Sequence, residues 1–269
     1  MAIASFAWLD DAYSDIRAAL RKNHLATTLS WQDIAQRYHR SRVGAFWLTI
    51  NMAVLVLALG LIFGTLFRVP MKEFFPYLCV GLIFWGFISQ SLSEGCNSLI
   101  SAQGIILQVR MPLFVHVLRT LYRNGITLAH NFVIYPLILL LSGSFPTFHA
   151  LIAIPGFLLV AFNVLWMMLI LSVLCARYRD MGQVMQNILQ VMYYVTPLMW
   201  MPSTLPDTVS PLVMDLNPFY HLISLVRAPL LGQFPTIENW TFGIAFALVG
   251  WTVALLFFCR FRRRIPYWL

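Results

Sequence analysis

Six stretches of this chain are apolar for long enough to cross about 30 Å of hydrocarbon at about 1.5 Å per helical residue. They fall at about 46–67, 74–93, 118–141, 150–176, 184–201 and 240–259. They predict an all-α integral membrane protein with six transmembrane helices. The run from Phe219 to Leu231 is also apolar, but it is short and holds Arg227 and Pro229, so it predicts a re-entrant or interfacial helix between the fifth and sixth spans. Around it, 202–239 carries prolines at 202, 206, 211, 218, 229 and 235. That stretch is too broken for one helix and too apolar for a solvated loop, and should fold back into the outer leaflet.

Ahead of the first span, Ser30-Trp-Gln-Asp33 opens like a capping box, and Trp31, Ile34, Ala35 and Tyr38 follow at i, i+3, i+4 and i+7. The pattern predicts an amphipathic helix over about 30–42, lying along the cytoplasmic interface as an anchor or as a substrate gate. Arg37, Arg40 and Arg42 sit just before the first span, where they can meet lipid phosphates. The 94–116 stretch is polar (Glu94, Asn97, Gln103, Gln108, Arg110), is broken by Gly104 and stops at Pro112, which is long for a mere connection. The chain thus divides into an N-terminal segment, 1–45, a six-span domain, 46–259, and a basic tail, 260–269.

Charge sets the orientation. Of 18 Lys+Arg, fifteen fall in the segments that are cytoplasmic if residue 1 is inside; only Arg68, Lys72 and Arg227 fall outside. That asymmetry places both termini in the cytoplasm. The +8 net charge therefore follows from bilayer orientation, and nucleic acid is not an expected partner. Residues 1–45 hold ten charges and no apolar core, so no removable signal peptide is expected. Composition agrees: 60% of residues are hydrophobic and 10% charged, against about 25% charged in a soluble domain. The four cysteines have no metal-binding or redox spacing and are expected to be reduced and structural.

Candidate chemistry is sparse. No Asp or Glu lies in the six apolar cores, which argues against an ion-coupled carrier. Arg119 and Arg123, one turn apart at the cytoplasmic end of the third span, are either snorkelling anchors or a phosphate-facing pair. No hydrolase motif is present, and neither Lys22 nor Lys72 sits in a phosphate loop. The chain is expected to be a non-enzyme that binds no cofactor, so any ATP and Mg must be held by a separate chain. The spans do carry aromatics: Phe84, Trp85 and Phe87, Phe132 and Tyr135, and Tyr193, Tyr194 and Trp200. Tyr and Trp offer a flat face to a sugar ring and a polar tip to its hydroxyls, although the same residues also pack helices. Gln186, Asn187 and Gln190 add amides to the fifth span, with Gln190 and Tyr194 on one face and Tyr193 and Trp200 on another. Gly60 and Gly64 form a close-packing pair.

Several blocks resemble the permease subunit of bacterial type-two ABC exporters for O-antigen and capsular polysaccharide, with teichoic-acid exporters as relatives. They are Arg37–Ile50, Pro112–Pro136, Arg177–Asp180 leading to Gln186-Asn187, Thr196–Trp200, Asn217–His221, Arg227–Gly232 and the tail Arg264–Leu269. One departure is Ala45, where the family usually has Pro. The resemblance implies two permease copies and two ATPase copies in the bacterial inner membrane, moving an undecaprenyl-linked glycan outward through a channel between the permeases. It implies a gate helix from Trp31 through Tyr38, while Arg37, Arg40 and Arg42, whose forks bond phosphate well at the interface, are expected to help receive the carrier's pyrophosphate. It also implies coupling to the ATPase through Gln103, Gln108 and Arg110, with a smaller contact at Arg179 and Asp180. Two other functions fit the same chain: a type-two exporter for another lipid or a drug, and a membrane enzyme acting on lipid-linked sugars.

The orientation is directly testable. Leu205→Cys should react with an impermeant thiol reagent from outside and Pro266→Cys only from the cytoplasmic side; equal labelling from outside would refute it.

Overall fold

The computed structural model describes residues 7–39, 44, 46–143, 147–202 and 214–269. Among them every element is helical. α1 (Ala7–Arg21) and α2 (Asn23–Tyr38) precede α3 (Phe46–Phe67) and α4 (Met71–Asn97). A short α5 (Gln103–Gln108) leads to α6 (Phe114–Phe132) and α7 (Ile134–Ser142). The turn Phe148–Ile152 opens α8 (Ala153–Arg177), followed by α9 (Met181–Val195), α10 (Pro218–Leu230) and α11 (Ile237–Phe261). A turn at Arg262–Arg264 and α12 (Ile265–Trp268) close the chain.

Five of these segments are long and apolar enough to cross a membrane: Phe46–Phe67, Met71–Asn97, Phe114–Ser142, Phe148–Arg177 and Ile237–Trp268. The third is broken at Val133, because Pro136 has no N–H for the Phe132 carbonyl and its ring crowds that carbonyl. α4 is the axis of the bundle, with Phe74, Leu78, Ile83, Ile88 and Leu92 all fully buried. α3 buries only Val56, Gly60 and Gly64. These glycines let Phe75 and Met71 of α4 close onto its backbone; a Cβ at Gly60 would collide with the Phe75 ring. α8 and α11 meet as closely, with Gly250 beneath the Trp166 indole. Buried Asn163 crosses between them, donating to the Gly243 carbonyl at 3.1 Å and accepting from Trp166 Nε1 at 3.1 Å.

The fifth expected span, 184–201, is not one continuous helix. α9 is 15 residues long, about 22 Å, and stops at Val195. The residue before a proline is pushed out of the helical region, and Thr196, before Pro197, is extended at φ −76°, ψ 133°. Helical spacing therefore does not reach Trp200, and Tyr193 and Trp200 do not share a helix face. The chain nonetheless continues along α4: Gly182 lies against Cys96, Tyr193 against Trp85, and the Pro197 carbonyl accepts from the Tyr77 hydroxyl at 2.9 Å. α10 starts at Asn217, whose side chain accepts from Phe219 N at 3.0 Å while Pro218 takes the first helical position. Ten of its thirteen residues are buried.

One end of the bundle gathers both described ends of the chain. α1, which the sequence pattern did not single out, is tied there by Asp15. This buried carboxylate accepts from the amides of Leu113 and Phe114 at 3.2 and 3.1 Å, capping α6, and from Arg262 Nε at 2.9 Å. Asp11 pairs with Arg263 beside it. The last long helix thus ends where the first helix lies. Cys79, Cys96, Cys175 and Cys259 are free and buried.

Asp15→Ala would leave two buried amides without an acceptor and Arg262 without its counter-charge, a loss of roughly 3 kcal/mol. It should lower the thermal midpoint in detergent, and Asp15→Ala with Arg262→Met should cost less than the two single changes summed. Strict additivity would show that the pair is not coupled.

Candidate functional site

At the same end, α2 lies across α6 and is held by charge. Asp33 accepts from Arg119 Nε at 2.8 Å, pairs with the same guanidinium through its second oxygen, and accepts from Arg123 Nη1 at 2.8 Å. Arg123 Nη2 continues to Glu94 of α4 at 2.7 Å, and Arg37 reaches Glu94 at 3.6 Å. Tyr122 adds a neutral bond, its hydroxyl donating to Asn23 at 2.8 Å. Arg119 and Arg123, expected as snorkelling anchors or a phosphate pair, are thus neutralised by carboxylates. The partners were readable in principle: between Ile34 and Arg179 the chain has only two acids, Glu73 and Glu94, and α2 has only Asp33.

The helix expected over 30–42 is also corrected. It begins at Asn23, and Ser30 lies inside it, buried, with its hydroxyl donating back to Thr27 O at 2.8 Å instead of capping a helix start. Because Asp33 turns toward α6, the inward stripe is Ala26, Ser30 and Asp33. Trp31 is 63% exposed on the far side. The Tyr38 side chain, Arg40, Arg42 and Ala45 lie outside the described residues. Of the three expected phosphate-facing arginines, only Arg37 is seen, and Glu94 shares it.

Burial raises the Asp33 pKa, but the hydrogen bond and charge of Arg119, together with Arg123, more than offset it and hold the carboxyl below its ordinary 3.8. A depressed carboxyl contributes fully above its unfolded pKa, and that contribution is lost only as pH falls through the lower folded value.

The proposed coupling residues share this end. Gln108 and Arg110 are exposed beside the exposed apolar Leu107 and Val109, while Gln103 is half-buried. Arg179 and Asp180 are exposed between α8 and α9. α5 is only six residues long, and the C-terminal α12 packs against it.

The aromatics sort into two groups. Phe84, Trp85, Phe87 and Tyr135 are buried and pack on Phe132, Phe157 and Phe219, so they are core. On α9 the opposite holds. Leu189 is its single buried residue; Gln183, Gln186, Asn187 and Gln190 are exposed, and Tyr194 is 61% exposed. Tyr193 is half-buried against Trp85, and Trp200 donates from Nε1 to the Tyr194 carbonyl at 3.3 Å. His130 is a bonded packing residue, its Nδ1 2.8 Å from the Ile126 carbonyl.

Residues 24–231 match the ABC-2 type transporter family, so the chain belongs to that family of membrane permeases. It is similar to the O-antigen export system permease protein RfbA of Myxococcus xanthus, 27% identical over 218 residues, covering 79% of this chain and 82% of the relative. An O-antigen export system permease protein RfbA of Klebsiella pneumoniae is 23% identical over 203 residues, covering 74% of this chain and 77% of the relative. With five helices long and apolar enough to span, the chain is a multi-pass membrane permease.

Asp33→Asn should release α2 from α6 at neutral pH, seen as increased mobility of a spin label at Thr28 and faster amide exchange over 23–38. The wild type should hold the contact unchanged from pH 8 down to pH 5; release near neutral pH would refute the Asp33 assignment.

Proposed function

We propose that the chain is the channel-forming subunit of an ATP-driven exporter that moves a lipid-linked polysaccharide of the O-antigen or capsule class out of the cytoplasm across the bacterial inner membrane. One observation carries this: α9 presents a row of four amides and Tyr194 on its uncovered face. Amides are costly against hydrocarbon, so that face must meet water, substrate or a second copy of the chain. A polymer in transit needs hydroxyl partners throughout and a tight grip nowhere. Scattered Gln and Asn with an aromatic face meet that need better than charges, whose desolvation is expensive.

In this assignment the chain crosses the bilayer six times, α9 and 196–202 making the fifth crossing, with both termini cytoplasmic and α10 a re-entrant helix. The crossing of α9 beside α4 and the pairing of α1 with the C-terminal tail both support an even number. Two copies face each other across the α9 surfaces. Two ABC ATPase chains, which hold the ATP and Mg, dock on Gln103, Gln108 and Arg110, with a smaller contact at Arg179 and Asp180. The α2 helix gates entry through Trp31 and Tyr38, with Arg37, Arg40 and Arg42 receiving the pyrophosphate of the undecaprenyl carrier. The names of the relatives support the glycan as cargo.

In cells, Tyr194→Ala and Gln190→Leu should each reduce export of long chains while leaving assembly with the ATPase intact, on the order of 1 kcal/mol for one lost stacking partner. Normal export by both variants would remove α9 from the pathway.

A further inference from the structure

At the end of the bundle opposite α1 and α2, a cavity of about 600 Å³ lies between α4, α10, Met201-Pro202 and the segment after α10. Its lining includes Lys72, Glu73, Tyr77, Tyr220, Arg227 and Asn239. Arg227 is 4% exposed. Its Nη1 donates to the Pro197 carbonyl at 2.6 Å, and the guanidinium stands 4.1 Å above the Tyr77 ring.

Those contacts position the group but do not neutralise it. At the other end Arg119, Arg123 and Arg262 each have a carboxylate within 4.0 Å; among the described residues Arg227 has none. A guanidinium has five N–H donors, and the bond to Pro197 uses one. Lys72 and Glu73 are exposed at the rim and offset each other, so among the described residues the interior of the cavity carries one positive charge with no carboxylate against it. A buried cation is tolerated in such a setting when a partner of opposite charge joins it.

We propose that this cavity binds a phosphate-bearing anion, with Arg227 as its counter-charge and Lys72 at the entrance. A planar guanidinium matches two phosphate oxygens, and the hydroxyls and amides of Tyr220, Ser224 and Gln233 line the same space. The volume exceeds that of free phosphate and admits a phosphodiester headgroup with its neighbouring atoms. Either a lipid headgroup or phosphate carried in from solution supplies the chemistry. The proposal stands apart from the export assignment, which decides only that the cavity opens to the outer leaflet.

The test uses the purified full chain in neutral detergent with Gln233→Cys at the mouth; the four native cysteines are buried and give little background. Its rate of reaction with an uncharged maleimide is measured with inorganic phosphate, with short-chain phosphatidylglycerol, or with chloride at equal ionic strength. Several-fold protection by phosphate identifies a phosphate group as sufficient, and protection by phosphatidylglycerol alone identifies the headgroup as the source. Protection should vanish on adding Arg227→Gln and persist in part with Arg227→Lys. No protection by either probe, or protection that survives Arg227→Gln, overturns the proposal. Should Arg227→Gln fail to fold, the same comparison with Arg227→Lys and the response of the unmodified Arg227 background still decide it. None of these readouts depends on export.

Discussion

Hydrocarbon supplies no hydrogen-bond partners, so each place where this backbone leaves helical form inside the bundle must bring its own. The clearest case follows Val195. Once Pro197 stops α9, the Pro197 carbonyl takes donors from Tyr77 and Arg227, and the Trp200 carbonyl takes the Tyr77 hydroxyl at 3.3 Å. Thr196 takes a donor from Asn217, which also caps α10. The end of α9 and the start of the buried helix α10 are thus one polar unit, held against α4. Asp15 does the same for the buried amides at the start of α6.

Carboxylates are scarce in this chain, and the placement of four of them shapes the basic end. Asp11, Asp15, Asp33 and Glu94 each take at least one arginine, and all four join segments far apart in sequence. Asp33 fastens α2 to the bundle, Glu94 joins α4 to both α2 and α6, and Asp15 joins α1, the start of α6 and the tail. The two ion networks therefore tie α1, α2 and the C-terminal tail to the same end of the bundle.

Against this closely packed base, α9 stands apart. α4 is buried along its length and α8 and α11 close over glycines, whereas α9 touches the bundle chiefly through Leu189, Met185, Met192 and Tyr193. Its uncovered face carries Gln183, Gln186, Asn187, Gln190 and Tyr194.

The six apolar stretches, their order and the charge bias were legible in the sequence, because hydropathy acts locally and the bilayer enforces a simple length rule. Membership of a permease family was legible too, from blocks of residues in order. The ionic partners were not. Arg119 and Arg123 show as a pair on one helix face, but whether they face lipid phosphate or Asp33 depends on α2 lying across α6, which no local pattern encodes. For the same reason Ser30 read as a helix start, although Asn23–Tyr38 is one helix whose inward face is chosen by Asp33. The aromatics of α4 and α9 look alike as residues; only packing separates buried Trp85 from uncovered Tyr194. Sequence determined what each segment can tolerate around it, and tertiary structure decided which neighbour it received, because pairing energies depend on distances that only the assembled bundle sets.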